Sequence, residues 1–431
     1  MKVLVVGSGG REHALCWKLG QSKKIDSLFC APGNAGIAKI AKCIDIRSDD
    51  IDSVVEFAKN ENIDLVVIGP EVPLSLGLVD RLEEFGIKSF GPNMECAQLE
   101  GSKSFTKAFL ERHAIPTARY KEFINKDDCL ANLGVFGYPM VIKADGLAAG
   151  KGVIIAENEG EARIGIEALM EQRVFGASGD KVVVEEYLEG VETSALCFVD
   201  EHTILPMDSC QDYKRIYDED KGENTGGMGS YSPNKLFNQK LWDNLDAEIF
   251  QPTLKGLQKD KLNFKGMLFI GLMITKDGPR VIEFNNRFGD PETQSLLPRL
   301  KSDLLDVLLA TVENKLDEIK LEWDKRVCVT VNLVSEGYPQ KPILGREIQG
   351  LEKLDPDILV FHGATKQLAA GNSEGATKNN EINESRIVTN GGRVLSVTGF
   401  GRDVIDAREN VYRNIKKISF QGMHFRRDIA R

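Results

Sequence analysis

Residues 281–294 read VIEFNNRFGDPETQ. In an extended chain alternate side chains share a face. Val281–Phe288 would then set Glu283, Asn285 and Arg287 in one row, with Ile282, Phe284 and Phe288 opposite. A carboxylate and an amide oxygen two residues apart are hard donors suited to a divalent cation, and a guanidinium beside them suits an anion. A half-buried antiparallel strand with a wet polar face accounts for the same pattern.

Two further stretches bear on the choice. YPMVIKADGLAAGKGVIIAEN, residues 138–158, departs from the P-loop pattern. Three residues, not four, separate Gly146 from Gly150, Lys151 is followed by Gly152, and the chain continues into strand-like VIIA. Strand, glycine-rich loop, strand describes a hairpin flap whose amides and Lys151 could fold over a triphosphate, with Lys143 adding a fixed charge. A hairpin with a mobile tip and no ligand fits equally well. In DKVVVEEYLEGVETSALCFVD, residues 180–200, a strand runs into Glu185-Glu186-Tyr187-Leu188 and then Glu192. Such a connector can offer backbone groups to an adenine edge and an acid to ribose hydroxyls. Solvated acids at a strand end are the plainer alternative.

Composition narrows the field. A chain of 431 residues holds roughly two to four domains. With 42% hydrophobic and 28% charged residues it reads as an ordinary soluble globular protein. A net charge of −10 argues against nucleic acid as a partner. No apolar run reaches membrane-spanning length, and MKVLVVGSGG reads as a strand rather than a signal peptide. Eight scattered cysteines without a CxxC, and five dispersed histidines, suggest reduced thiols in the cytoplasm and no zinc site.

The elements that must position these residues begin with a βα repeat. KVLVVG, SLFCAPG, IDLVVIGPE and IKSFGPN are short apolar runs ending in Gly or Pro turns, with amphipathic segments Arg11–Leu19, Ile51–Asn60 and Leu74–Phe85 between them. That pattern predicts a doubly wound parallel sheet, with ligands at the carboxyl ends of its strands. GSGGREHAL fails the dinucleotide fingerprint GxGxxG because position 12 is Glu. A glycine turn leading into Arg11 and a helix N-terminus suits a single phosphate as well.

A lysine strand and glycine flap, then EE-YL-x-G-x-E, then E-F-N-x-R, is the order of the ATP-grasp superfamily. With PGNAG, GPEVPLSLGLVD, EGSKSFTKAFLERHAIPT, NTGGMGSYSP and the terminal FRRDIA added, the chain resembles the glycinamide ribonucleotide synthetase (phosphoribosylamine–glycine ligase) family from residue 1 to 430. The resemblance implies an α/β protein: a doubly wound N-terminal domain, an ATP-grasp clamp of two α+β subdomains, and a β-rich C-terminal cap. The expected divisions are 1–102 for the first domain, 103–122 for a crossover, 123–187 for the lid, 188–325 for the main clamp and 326–431 for the cap. Polar residues 369–385 are expected as an exposed hairpin tip, and a basic helix closes the chain.

The resemblance also implies roles. Glu283 and Asn285 become the ligands of Mg²⁺ (or Mn²⁺), without help from the acid-free preceding strand FIGLMI. Lys103, Lys143 and the flap Gly150-Lys151-Gly152 hold the phosphates of ATP. Glu185, Leu188 and the intervening Glu186 and Tyr187 read adenine, and Glu192 the ribose. Arg287, Lys214, Arg215 and Asp212 are the catalytic candidates. The substrates meet Thr225, Gly226, Gly227 and Asp290, with Gly9, Gly10, Arg11, Asn34 and Glu71 on the phosphoribosyl side. Two positions depart from the family: Tyr213 stands where His is usual, and 361–365 read FHGAT rather than FHAGT.

The implied reaction joins glycine to 5-phosphoribosylamine through a glycyl acyl phosphate, giving glycinamide ribonucleotide, ADP and phosphate, the second step of de novo purine synthesis. A closing flap would shield the acyl phosphate from water. The partners are these small molecules alone, with no nucleic acid or membrane, and the chain is expected as a monomer. A different ATP-grasp ligase or carboxylase, a nicotinamide-dependent oxidoreductase and a non-catalytic nucleotide sensor are the rivals.

Overall fold

A computed structural model describes residues 1–148, 152–368 and 386–431. The expected flap tip at Gly150 and Lys151, and the hairpin tip at 369–385, lie outside the described residues.

The N-terminal strands are β1 (Lys2–Gly7), β2 (Ser27–Pro32), β3 (Lys42–Cys43), β4 (Leu65–Ile68) and β5 (Lys88–Phe90). They pair in parallel in the order β3-β2-β1-β4-β5, so the doubly wound expectation holds. Helix α1 spans Gly10–Leu19 and α2 Ile51–Asn60. The segment expected as one helix over 74–85 is two, α3 (Glu71–Ser75) and α4 (Leu78–Glu83), because Gly77 between them takes a left-handed conformation (φ 78°). Glu12 explains the broken fingerprint. It accepts the Gly9 N–H at 2.6 Å, and its side chain fills the space a Cβ on Gly7 would need.

Helices α5 (Met94–Gly101) and α6 (Lys103–Arg112) lead into the lid. Its strands β6 (Tyr120–Phe123), β7 (Met140–Ala144), β8 (Val153–Ala156) and β9 (Val182–Glu186) form one antiparallel sheet, order β6-β9-β7-β8, over a small core including Ile142, Leu169 and Val184. Strands β7 and β8, antiparallel neighbours, flank the glycine-rich segment.

The main clamp is built on β10 (Val191–Val199), β11 (Ile204–Pro206), then β14 (Gly266–Thr275) and β15 (Gly278–Asn285), which follow β12 (Gln211–Tyr217) and β13 (Lys221–Ser232). Here the structure departs from simple alternation. Strand β15 ends at Asn285, not Phe288, and its pairing with β14 slips between Gly271 and Leu272. The resulting bulge turns Ile282 to the cavity, while Val281 and Phe284 both enter the core.

The last sheet, order β12-β13-β16-β20-β17, adds β16 (Val327–Val334), β17 (Leu359–His362) and β20 (Arg393–Gly401), with β18 (Thr365–Leu368) and β19 (Arg386–Thr389) paired apart. It draws β12 and β13 from before residue 325, because Gly229–Ser232 pair with Cys328–Val331. The chain does not close on a helix: Val404–Ile415 is helical, and the tail beyond it returns along the sheet to bury Arg426.

Candidate active site

A cavity of about 480 Å³, within the usual range for small-molecule sites, opens between the lid and main sheets and continues to the N-terminal and C-terminal domains. On the lid side Lys143, from β7, is buried, 2.9 Å from Glu185 Oε1 and donating to the Ile282 carbonyl at 3.1 Å. Lys103 opens α6, with its ammonium on the Glu100 carbonyl at 3.2 Å. Asp145, in the loop after β7, accepts from Ser104 N (2.7 Å) and Oγ (2.6 Å), tying that loop to the same helix start. Gly152, Glu186, Tyr187 and Leu188 also line the cavity. The Glu186 carboxylate is held by the Arg119 backbone N–H at 2.9 Å and its Nε at 2.6 Å. Its part in the wall is therefore mainly backbone.

Opposite, Glu283 and Asn285 sit together, the Asn285 amide donating to Glu283 Oε1 at 3.3 Å. Gly271 faces Glu283 across the ladder, and a Cβ there would stand 3.0 Å from Glu283 Cγ. A side chain at that position on β14 would crowd Glu283. Burial would raise the Glu283 carboxyl, but Lys214, Lys103 and Lys143 outweigh it and bring it down to about 2. It stays charged. Among the described residues no three His, Cys, Asp or Glu side chains converge as a complete metal cage. A carboxylate and an amide oxygen, completed by phosphate and water oxygens, nevertheless fit Mg²⁺ or Mn²⁺.

Arg287 reaches Glu100 Oε1 at 3.3 Å and Glu71 Oε2 at 3.7 Å. Beyond it Asp290 takes Arg393 Nη2 at 3.0 Å and the Gln294 amide at 2.7 Å. Burial opposes its charge, yet Arg393 and Arg11 keep its pKa low. Arg11 braces itself on Glu12 Oε1 (2.6 Å) and donates to the Phe288 carbonyl (3.1 Å).

Strand β12 sorts its own residues by alternation. Asp212 and Lys214 face the cavity, with Lys214 paired to Glu192. Tyr213 and Arg215 point the other way. Arg215 donates to the Gly222 carbonyl at 2.7 Å and does not line the cavity, which corrects the expectation for it. The Tyr213 hydroxyl accepts from Ala430 N at 3.1 Å, with the Arg426 guanidinium 5.1 Å from its ring centre. The departure from the expected His therefore lies on the face turned away from the cavity, packed against the C-terminal core.

Arg11, Glu71, Thr225, Gly226 and Asp290 line the cavity as expected, while Gly9, Gly10, Asn34 and Gly227 stand behind it. Asn34 spends its amide on the Ser8 (2.8 Å) and His362 (2.7 Å) carbonyls. Gly10 packs so closely that a Cβ would lie 2.7 Å from Gln294 Nε2. Gly227 (φ 114°) sits against Pro291. The FHGAT turn is held to β20, Gly363 N donating to Val394 O and Ala364 N to Arg393 O, both at 2.8 Å.

Sequence reasoning missed Glu100, Glu292 and Arg393, which line the cavity, and Lys107 behind it. Glu292 stands in the quoted GDPE motif, so its position was visible. Burial and the nearby Asp212 push its carboxyl up to about 8, and Asp212 is raised by its own burial. The two acids titrate as a pair, both displaced upward. Arg393 gave no local signal.

Models of the phosphoribosylglycinamide synthetase family match the chain in three consecutive blocks: the N domain at residues 1–100, the ATP-grasp (A) domain at 101–293 and the C domain at 328–431. The phosphoribosylamine–glycine ligase of Caldanaerobacter subterraneus subsp. tengcongensis is 46% identical over 430 residues, covering 100% of this chain and 99% of its own. The chain belongs to the phosphoribosylglycinamide synthetase family. It is accordingly an ATP-grasp ligase of purine biosynthesis, and enzymes of that superfamily bind ATP with Mg²⁺ or Mn²⁺. The family also occurs fused: the chain is 45% identical to 42% of the trifunctional purine biosynthetic protein adenosine-3 of Gallus gallus. The crystal structure of the phosphoribosylamine–glycine ligase of Thermotoga maritima superposes with a TM-score of 0.83 at 30% identity, covering 100% of both chains. The biotin carboxylase domain of Hydrogenobacter thermophilus 2-oxoglutarate carboxylase, solved with MgADP, shares the fold at TM-score 0.73 and 15% identity, over 98% of this chain and 91% of that one.

Proposed function

We propose that this cavity joins glycine to 5-phosphoribosylamine at the expense of ATP, by way of a glycyl phosphate. One observation carries the reading: the lysine-lined lid wall, the Glu283–Asn285 pair and the arginine-rich far end line a single continuous space. Lys103 and Lys143 hold the ATP phosphates, the Glu185–Leu188 backbone takes adenine, and Glu192 the ribose. Glu283 and Asn285 hold Mg²⁺ or Mn²⁺, which when bound offsets repulsion between the γ-phosphate and the glycine carboxylate. Arg11 and Arg393 flank Asp290 at the end assigned to the phosphoribosyl phosphate.

A carboxylate cannot expel oxide, so a glycine oxygen first attacks the γ-phosphorus and ADP leaves. Arg287 and Lys214 face the charge that develops there. The substrate amine then attacks the acyl carbon, the bond to phosphate breaks, and the Asp212–Glu292 pair takes the proton that nitrogen loses. All eight cysteines are unpaired, which suits the cytoplasm, and among the described residues no helix is long and apolar enough to cross a membrane.

The test is ADP release with phosphoribosylamine generated in situ. Release should require both glycine and the amine, and formate or bicarbonate should not replace glycine. Release supported by either of those acids would overturn the substrate assignment.

A further inference from the structure

Behind the lid wall lies a lysine that touches none of the cavity. Lys107 sits one turn along α6 from Lys103 and is 2% exposed. Its ammonium has three partners for its three N–H groups: Thr117 Oγ1 at 2.8 Å, the Ala118 carbonyl at 3.2 Å and Glu185 Oε2 at 3.0 Å. Thr117 passes its own proton to the Val281 carbonyl at 2.7 Å, so Lys107 joins α6, the crossover and β15. The other Glu185 oxygen lies 2.9 Å from Lys143, off the hydrogen-bond direction. Among the described residues Lys143 has just one further partner, the Ile282 carbonyl, which leaves it an N–H for the cavity it lines.

We propose that Lys107 is a positioning residue for the nucleotide, sharing Glu185 with Lys143 so that Lys143 stays free to hold phosphate. The inference rests on the reading of this wall as the ATP site. With one buried carboxylate and one buried lysine the charges would cancel, and Glu185 would draw Lys143 to itself. Two ammoniums on one carboxylate leave the row a net positive charge. Since Lys107 is saturated by protein atoms, the spare charge and the spare N–H both belong to Lys143.

A pH dependence follows. The groups facing Lys107 are Glu185 and Glu186 on β9, Lys143 on β7 and the Tyr120 ring on β6, 5.6 Å away. Burial lowers the Lys107 pKa, Glu185 raises it and Lys143 lowers it again, to about 8. Above that pH Lys107 turns neutral and Lys143 becomes the sole counter-ion of Glu185.

The experiment measures ADP affinity calorimetrically with saturating Mg²⁺, from pH 7 to 9, for the wild type, Lys107→Met and Lys107→Gln. Gln keeps N–H donors for Glu185 and Ala118 and guards against a variant that fails to fold. At pH 7 both variants should bind ADP about tenfold more weakly, with the KM for ATP raised alike and those for glycine and phosphoribosylamine within about twofold. Wild-type affinity should decline across the pH range, and the variants should be flat. Unchanged ADP affinity in both variants, or all three KM values moving together, would overturn the inference. A wild type that does not bind ADP would instead remove the nucleotide reading itself.

Discussion

Two histidines clamp the N-terminal domain to the C-terminal sheet, and acid should loosen them. His13 on α1 and His362 at the end of β17 have ring centres 5.5 Å apart, and Gly36 is closed over both. The His362 backbone N–H donates to His13 Nδ1 at 2.7 Å, so that nitrogen carries no proton. Burial above all, then His362 and Lys39, pulls His13 down to about 3, and burial with Lys39 takes His362 to about 4. Unfolded, each ring titrates near ~6.5. Their native pKa values are depressed, so stability is full above that pH and is lost as pH falls from there toward 4. At pH 5 the unfolded chain binds a proton about 1.5 pH units below the free pKa, which costs about 2 kcal/mol per ring and about 4 for both. Urea unfolding at pH 7.5 and 5.0 would measure it. In His13→Asn, Oδ1 replaces Nδ1 as acceptor and nothing titrates, so the acid-induced loss should shrink by about 2 kcal/mol. Parallel losses in wild type and variant would refute the reasoning.

Three shorter tests address the cavity. Glu283→Gln removes the carboxylate but keeps the shape, so glycine-dependent ADP release should fall on the order of a thousandfold, with partial rescue by Mn²⁺ and little change in melting temperature. Arg393→Met should raise the KM for phosphoribosylamine about tenfold or more and leave ADP binding unaltered, as calorimetry would show. Glu292→Gln should slow amide formation and abolish any limb near pH 8 in the pH–rate profile; a retained limb would assign that titration elsewhere.

Much of the architecture was legible because it rests on local pattern. The βα alternation of the first hundred residues and the period-two runs of the last hundred report burial directly. What failed was governed by single positions or by distance. Gly77 breaks a helix whose apolar spacing continues across it. The bulge at Ile282 spoils strict alternation, yet Glu283 and Asn285 keep one face because the extra residue precedes both, and Arg287 reaches the cavity from beyond the strand's end. Alternation in β12 would have excluded Arg215 once Asp212 and Lys214 were placed inside. No such argument reaches Arg393, which comes to Asp290 only because β20 lies next but one to β13 in the same sheet.

The cavity's charge sets up a final expectation. Six cationic side chains line it among the described residues, Arg11, Lys103, Lys143, Lys214, Arg287 and Arg393, against nine acidic ones. Four of the six are already engaged by carboxylates, Arg11 by Glu12, Lys214 by Glu192, Arg287 by Glu100 and Arg393 by Asp290, while Lys143 shares Glu185 with Lys107. A proton on the Asp212–Glu292 pair relieves only part of the surplus. A polyphosphate entering such a space meets more anions than free cations, and Glu283, held charged, stands in the wall. A divalent cation on Glu283 and Asn285 reverses that local balance. ADP should therefore bind at least about a hundredfold more tightly with millimolar Mg²⁺ than with EDTA, a difference equilibrium dialysis resolves. In Glu283→Gln the metal-free affinity should rise, because a repelling charge has gone, while the affinity with Mg²⁺ falls. Were ADP to bind equally with and without the cation, the lysines alone would hold the phosphates, and the Glu283–Asn285 pair would need another purpose.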